Sequence, residues 1–193
     1  MIRRLSTAAL SLLLLTACPR PHATAPDRAA PLSIDERPTR SLPLPEHLAN
    51  LAPVLTALHN RERALVRAPP LAWDPRLAAA AAAYGPALAR HGRLVHAVPT
   101  ARPGQGENLW MGSFDKYGLT AMFEAWAREK RFFRPGAIPT ISSTGKFADV
   151  GHYSQIIWRG TQRVGCAVHR TAAWDYLICR YAPAGNVMGR RVP

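Results

Sequence analysis

Acidic residues are scarce, with 12 Asp and Glu against 25 Lys and Arg in a chain of 193 residues, so the formal charge is +13. Cysteine is scarcer still, at three. Lysine supplies only three of the basic residues, and the 22 Arg are scattered rather than gathered into runs. That distribution, with no recognisable nucleic-acid motif, argues against a nucleic-acid-binding protein. After the first stretch no apolar run approaches the roughly 20 residues of a membrane-spanning helix, and no internal repeat is present. What remains, 48% apolar and 19% charged residues, can bury a core and excludes a wholly disordered polyelectrolyte. One compact domain is expected.

The N-terminus reads as an export address. Arg3 and Arg4 precede an apolar stretch from Ala8 to Leu15, broken only by Ser11, and Leu15-Thr16-Ala17-Cys18 follows. This is the pattern of a secretory signal, and the small residues before Cys18 resemble a bacterial lipobox. The resemblance implies cleavage after residue 17 and acylation of Cys18, with two or three acyl chains giving a stable membrane anchor. An ordinary signal cleaved without lipidation would leave the protein extracellular. Residues 18–50 contain seven prolines, four arginines and four acidic residues, the composition of an extended tether. The mature charge of 13 − 2 = +11 then belongs to residues 51–193. With Cys18 lipidated, Cys166 and Cys179 form an even pair in an oxidising compartment, and one disulfide is expected.

Within residues 51–193 the hydrophobic period changes along the chain. A helix is predicted from about Pro53, through Leu55, Leu58 and Leu65, to the Pro69-Pro70 stop. A second opens with Asp74 as cap and Pro75 in its first turn and closes before Gly92; Pro86 should kink it or stop it early. A third, from about Leu119 to Lys130, aligns Leu119, Met122, Phe123 and Trp126 on one face and turns Glu129 towards the buried side. From Gly151 to Trp158 the sequence alternates, which predicts a strand with His152, Ser154, Ile156 and Trp158 on one face. Val164–His169 and Trp174–Tyr181 predict a hairpin turning near Ala172, in which Cys166 and Cys179 fall opposite each other. Helices first and antiparallel strands after imply an α+β fold with helices packed on the sheet.

Gly151-His152-Tyr153-Ser154-Gln155-Ile156-Ile157-Trp158, Gly165-Cys166 and the run from Cys179-Arg180-Tyr181 to Gly185-Asn186 resemble the signature motifs of the CAP superfamily, the SCP domain of cysteine-rich secretory proteins. Gly106-Glu107-Asn108-Leu109-Trp110 is similar to its third motif. His59-Asn60 with Arg63, then Leu71 and Trp73, match its opening helix and the following loop. The resemblance implies a three-layer α-β-α sandwich with a small antiparallel sheet. It also implies a cleft tetrad of two histidines and two glutamates, carried by motif to His96, Glu107, Glu129 and His152. His91 is the alternative to His96, which is preferred for its place eleven residues ahead of Glu107. His59 and Asn60 are expected to pack or cap.

Imidazole suits Zn2+ or another divalent cation, two such ligands leave positions for water, and Glu107 or Glu129 could then act on that water. A metal-dependent, protease-like hydrolase is therefore one reading. Two histidines are nonetheless a sparse zinc site, and acid–imidazole pairs also brace clefts structurally. The family resemblance favours non-catalytic binding of a lipid, a sterol-like molecule or an envelope polymer, and surface adhesion is a third reading. Ser154 on the presumed face of His152 suggests a serine nucleophile, but no oxyanion hole or nucleophile elbow accompanies it. Arg-rich basicity fits anionic headgroups or envelope polymers.

Overall fold

The computed structural model describes residues 41–193. The signal, Cys18 and the tether as far as residue 40 lie outside the described residues. Among those described, no helix is long and apolar enough to cross a membrane.

Helix α1 spans Leu51–Leu65 and α2 spans Pro75–His91, separated by the short strand β1, Ala72–Trp73. Asp74 Oδ1 accepts from the backbone N–H groups of Arg76 and Leu77, and Gly92 terminates α2 in the left-handed region, as the cap signals predict. Pro86 neither stops nor shortens α2. Ala81 and Leu88, on either side of it, are fully buried against the sheet, so packing overrides the local cost of an internal proline. Strand β2 is Gly106–Ser113 and α3 is Leu119–Ala127, followed by a 3-10 turn, Arg128–Arg131. The predicted apolar face of α3 is buried. The two-residue strand β3, Gly136–Ala137, comes next.

Gly151–Ile157 is a helix, α4, and the expected strand is absent. Tyr153 through Ile157 are buried consecutively, and a short segment covered on all sides carries no reliable period. Its ends are secured from distant parts of the chain: Glu129 accepts backbone N–H groups of the first turn, and Arg63 donates to the carbonyls of Ile156 and Trp158. Alternation within the segment cannot display either partner.

Strands β4, Arg163–Arg170, and β5, Trp174–Ala182, form the predicted hairpin. Cys166 and Cys179 pair in register and are disulfide-bonded. The main sheet runs β1-β4-β5-β2, with β1 parallel to β4 and the other pairs antiparallel. A second, two-stranded sheet joins β3 to β6, Arg191–Val192.

Helix α2 covers one face of the main sheet, over a core of Ala81, Leu88, Leu109, Tyr176 and Ile178. Helices α1, α3 and α4 cover the other, over a larger core that includes Leu55, Phe123, Trp126, Ile156, Val164 and Leu177. This is the expected α-β-α sandwich. Close approach of α2 depends on Gly165, where a Cβ would lie 2.3 Å from the backbone nitrogen of Ala78 and 2.4 Å from the carbonyl oxygen of Asp74. The packed chain also begins before residue 51. Leu48 is fully buried in the larger core, and Ser41, Leu42 and Pro43 hydrogen-bond to Arg170. The last residues assigned to the tether therefore dock on the domain.

Candidate functional site

Glu107 and Asn108 are consecutive in β2, so they point to opposite faces of the sheet. Glu107 faces the α2 layer, directly across from Arg180 in β5. Its Oε1 is 2.7 Å from His96 Nδ1 and accepts from the Ala97 backbone N–H at 3.1 Å, while Oε2 lies 2.9 Å from Arg180 Nη2. The carboxylate is fully buried, whereas the imidazole is 57% exposed. Glu107 thus holds His96 from beneath and leaves the ring at the surface. His91 closes α2 at an exposed position and has no part in this pairing.

The second pair forms on the other layer. Glu129, in the 3-10 turn after α3, reaches α4: Oε1 is 2.6 Å from His152 Nδ1, and Oε2 accepts from the backbone N–H groups of His152 and Tyr153. One carboxylate therefore orients the imidazole and satisfies donors at a helix start, where negative charge is favoured. The ring of His152 also stacks on Trp126, with centroids 5.9 Å apart and an interplanar angle of 17°.

His96, Glu107 and His152 line a cleft of about 310 Å3, closed by Asn108, Asn186, Phe147 and Ala148. Glu129 stands behind His152 and reaches the cleft only through it. A neighbouring hollow of about 260 Å3 shares His96, Glu107 and Asn186 and adds Arg102 and Gln155. In both pairs the carboxylate is on Nδ1, and Nε2 takes no hydrogen bond from the described residues. With Nδ1–H donating to the carboxylate, Nε2 carries the lone pair, the arrangement found in metal-binding histidines. No group of three His, Cys, Asp or Glu side chains converges as a ready metal cage among the described residues. Imidazole nitrogen is a donor type that suits a divalent cation, and a carboxylate on the other ring nitrogen is the usual support for such a ligand.

Ser154 lies two residues after His152 on a helix, so it points away from His152 rather than sharing its face. Its hydroxyl contacts Asn186 Oδ1 at 2.6 Å and the Gly151 carbonyl at 3.1 Å. Asn186 in turn donates to the Gly151 carbonyl. This local bracket explains the buried serine without nucleophilic chemistry.

A buried polar chain supports the cleft from below. His59 Nδ1 lies 2.7 Å from the Leu55 carbonyl, His59 Nε2 lies 2.8 Å from Tyr181 Oη, and Asn108 Nδ2 donates both to that hydroxyl and to the His152 carbonyl. Asn60 exchanges two hydrogen bonds with the Leu71 backbone. His59 and Asn60 therefore pack and brace, as expected. Asn108 and Asn186 belong to the quoted motifs, but nothing in their spacing revealed that they line the cleft.

Burial pushes the His59 pKa down to about 4, only partly opposed by the Leu55 carbonyl and assisted by the charge of Arg63. The unfolded chain binds this proton near pH 6.5, so the unfolded state takes up more protons between about pH 4 and 6.5, and stability falls as pH is lowered through that window. The wild type should lose about 3 kcal/mol more stability than His59→Gln between pH 7 and 4. Urea unfolding across this range measures the difference; parallel profiles for the two proteins would contradict the assignment.

The family model described as CAP, cysteine-rich secretory protein family, matches residues 56–181. A pathogenesis-related protein of PR-1 type from Sambucus nigra is 38% identical over 136 residues, covering 69% of this chain and 76% of its own. Pathogenesis-related protein 1C of Nicotiana tabacum is 37% identical over 134 residues, covering 68% and 74%. Among solved structures, NaASP2 with Zn2+ superposes with a TM-score of 0.62 at 24% identity, over 77% of this chain and 87% of that one. Na-ASP-1 gives the same TM-score at 21% identity, over 81% and 43%. At these identities the structural likenesses establish the fold.

Proposed function

The chain belongs to the cysteine-rich secretory protein family, the CAP domain proteins, and on that premise we propose that it is an exported, lipid-anchored binding module of a bacterial cell envelope. Its ligand is a lipid or envelope component, taken at a cleft that holds a divalent cation, and no catalytic step is assigned to it. The observation that carries this reading is the pair of imidazoles, His96 and His152, each fixed through Nδ1 by a carboxylate and each free at Nε2 beside one cleft.

His96 and His152 would hold the cation, and zinc suits their nitrogens. Glu107 and Glu129 would fix ring orientation and raise ligand basicity. The Zn2+ named for NaASP2 supports the choice of metal. A cation so held supplies a positive, exchangeable coordination site able to accept an anionic or carbonyl oxygen of a ligand, with Phe147 and Ala148 offering apolar contact beside it. Commitment of both carboxylates to backbone, imidazole or guanidinium partners favours binding over hydrolysis, because neither is left as an unengaged general base. Lipidation at Cys18 rests on the Leu15-Thr16-Ala17-Cys18 motif.

Calorimetric titration with zinc should show one site per chain in the wild type, with affinity reduced at least tenfold in His96→Ala and in His152→Ala, and about 10- to 100-fold in Glu129→Gln. Absence of zinc binding by folded wild-type protein would refute the cation site. The anchor has its own test. On expression with its signal in a bacterial host, the protein should fractionate with membranes and Cys18→Ser should release it; equal fractionation of the two would refute lipidation.

A further inference from the structure

Arg102 is held by its own loop. It follows the 3-10 turn Pro99–Ala101, and its Nε donates to the Ala97 carbonyl and its Nη1 to the Gln105 carbonyl, each at 2.8 Å. Those two bonds span the loop and fix the position of the guanidinium. Nη2 has no hydrogen-bond partner among the described residues and, unlike the enclosed nitrogens of Arg180, it is open to solvent. Among the described residues Arg102 also pairs with no carboxylate. Glu107 is committed elsewhere, to His96, the Ala97 N–H and Arg180.

This side chain lines the hollow of about 260 Å3 beside the cleft, together with His96, Gln155 and Asn186. Gly106 and Gly185 pack directly on Gln155: a Cβ would lie 2.1 Å from Oε1 at the first and 2.7 Å from Nε2 at the second. The amide between them is fixed, accepting from the Gly185 N–H and donating to Thr161 Oγ1. Ala184 is the one apolar side chain in the lining, whereas the adjoining cleft presents Phe147 and Ala148. The hollow therefore has no wall for hydrocarbon. A cavity of about 150 Å3 already holds a benzene-sized molecule, so a substituted six-membered ring has room here.

We propose that this hollow binds an acidic sugar unit, its carboxylate accepting from Arg102 Nη2 and its hydroxyls meeting His96 and Asn186. Guanidinium is well matched to carboxylate. One uncommitted cation suits one negative charge, whereas a phosphomonoester would bring nearly two towards Glu107. The polar lining selects a hydroxylated acid over a fatty one. His96 borders both the hollow and the cleft, so the inference rests on the binding reading of the cleft and names the chemistry of its ligand, an acidic glycan of the envelope rather than a lipid. Occupancy of the hollow does not require a cation.

Sodium glucuronate is the probe, added to the full chain, with glucose as its uncharged counterpart, sodium butyrate as the acid without hydroxyls and sodium chloride as the ionic control. Glucuronate at ten times its dissociation constant should raise the melting temperature by about 4 °C, and the three controls at equal concentration should not. Arg102→Gln should abolish the shift, while Arg76→Gln, at an exposed position of α2, removes the same charge and should keep it. Because Arg102 also braces its loop, Ala184→Leu supplies a variant that fills the hollow and leaves the guanidinium in place; it too should lose the shift. Zinc titration separates this site from the cleft. Arg102→Gln should bind zinc like the wild type, and a wild type that responds to glucuronate without binding zinc would refute the cation and uphold the sugar site. The proposal is overturned if glucuronate has no effect, if any control matches it, if Arg102→Gln or Ala184→Leu responds like the wild type, or if Arg102→Gln loses zinc binding along with the shift, which would make Arg102 a support for His96.

Discussion

The hydrogen-bonded chain from the Leu55 carbonyl through His59, Tyr181 and Asn108 to the His152 carbonyl ties together α1, β5, β2 and α4. His59, Tyr181 and Asn108 are all buried, so each polar group must find its partner inside the protein. Burial keeps the imidazole neutral and pushes the Tyr181 hydroxyl pKa well above its ordinary value. With Nδ1–H donating to Leu55, the imidazole accepts from tyrosine, which accepts from asparagine. The direction of every bond is thereby set, and the asparagine end fixes the backbone of a histidine at the cleft. Arg63 secures the far end of the same helix through the carbonyls of Ile156 and Trp158, and the turn that follows through that of Thr161. Helix α4 has only seven residues, and isolated helices so short are unstable in water; its conformation depends on these tertiary partners.

The basicity of the chain acquires a different meaning once these contacts are known. Arg63, Arg170 and Arg180 are buried. Arg63 serves backbone carbonyls, Arg170 pairs with Asp175 and Asp115, and Arg180 pairs with Glu107. Arg102 and Arg159 also donate to backbone carbonyls. Several of the arginines are thus structural, built into the domain as a side chain that can satisfy several acceptors at once.

Local signals located much of the fold. Asp74, Pro75 and Gly92 bracket α2, the apolar face of α3 follows its 3.6-residue period, and the hairpin register placing Cys166 opposite Cys179 was visible from its turn. Failures occurred where distant groups decide the outcome. Alternation at 151–158 could not reveal that Glu129 and Arg63 secure a helix, and Pro86 is tolerated because Ala81 and Leu88 hold α2 on both sides. For the cleft, motif resemblance named His96, Glu107, Glu129 and His152, and Glu129 facing inward was legible from its spacing to Trp126. The supporting positions of Asn108 and Asn186 were not legible, because they depend on which strand and loop meet α4.

Two carboxylates each meet the Nδ1 of an imidazole that lines one cleft, and nitrogen-resolved NMR of the histidine rings tests most directly the proposal that both Nε2 atoms are left for a shared cation. At neutral pH, His96 and His152 should both be the tautomer protonated at Nδ1, and on addition of zinc both Nε2 resonances should shift with a common midpoint. Protonation at Nε2 in either ring, or a zinc response confined to one of them, would contradict the account.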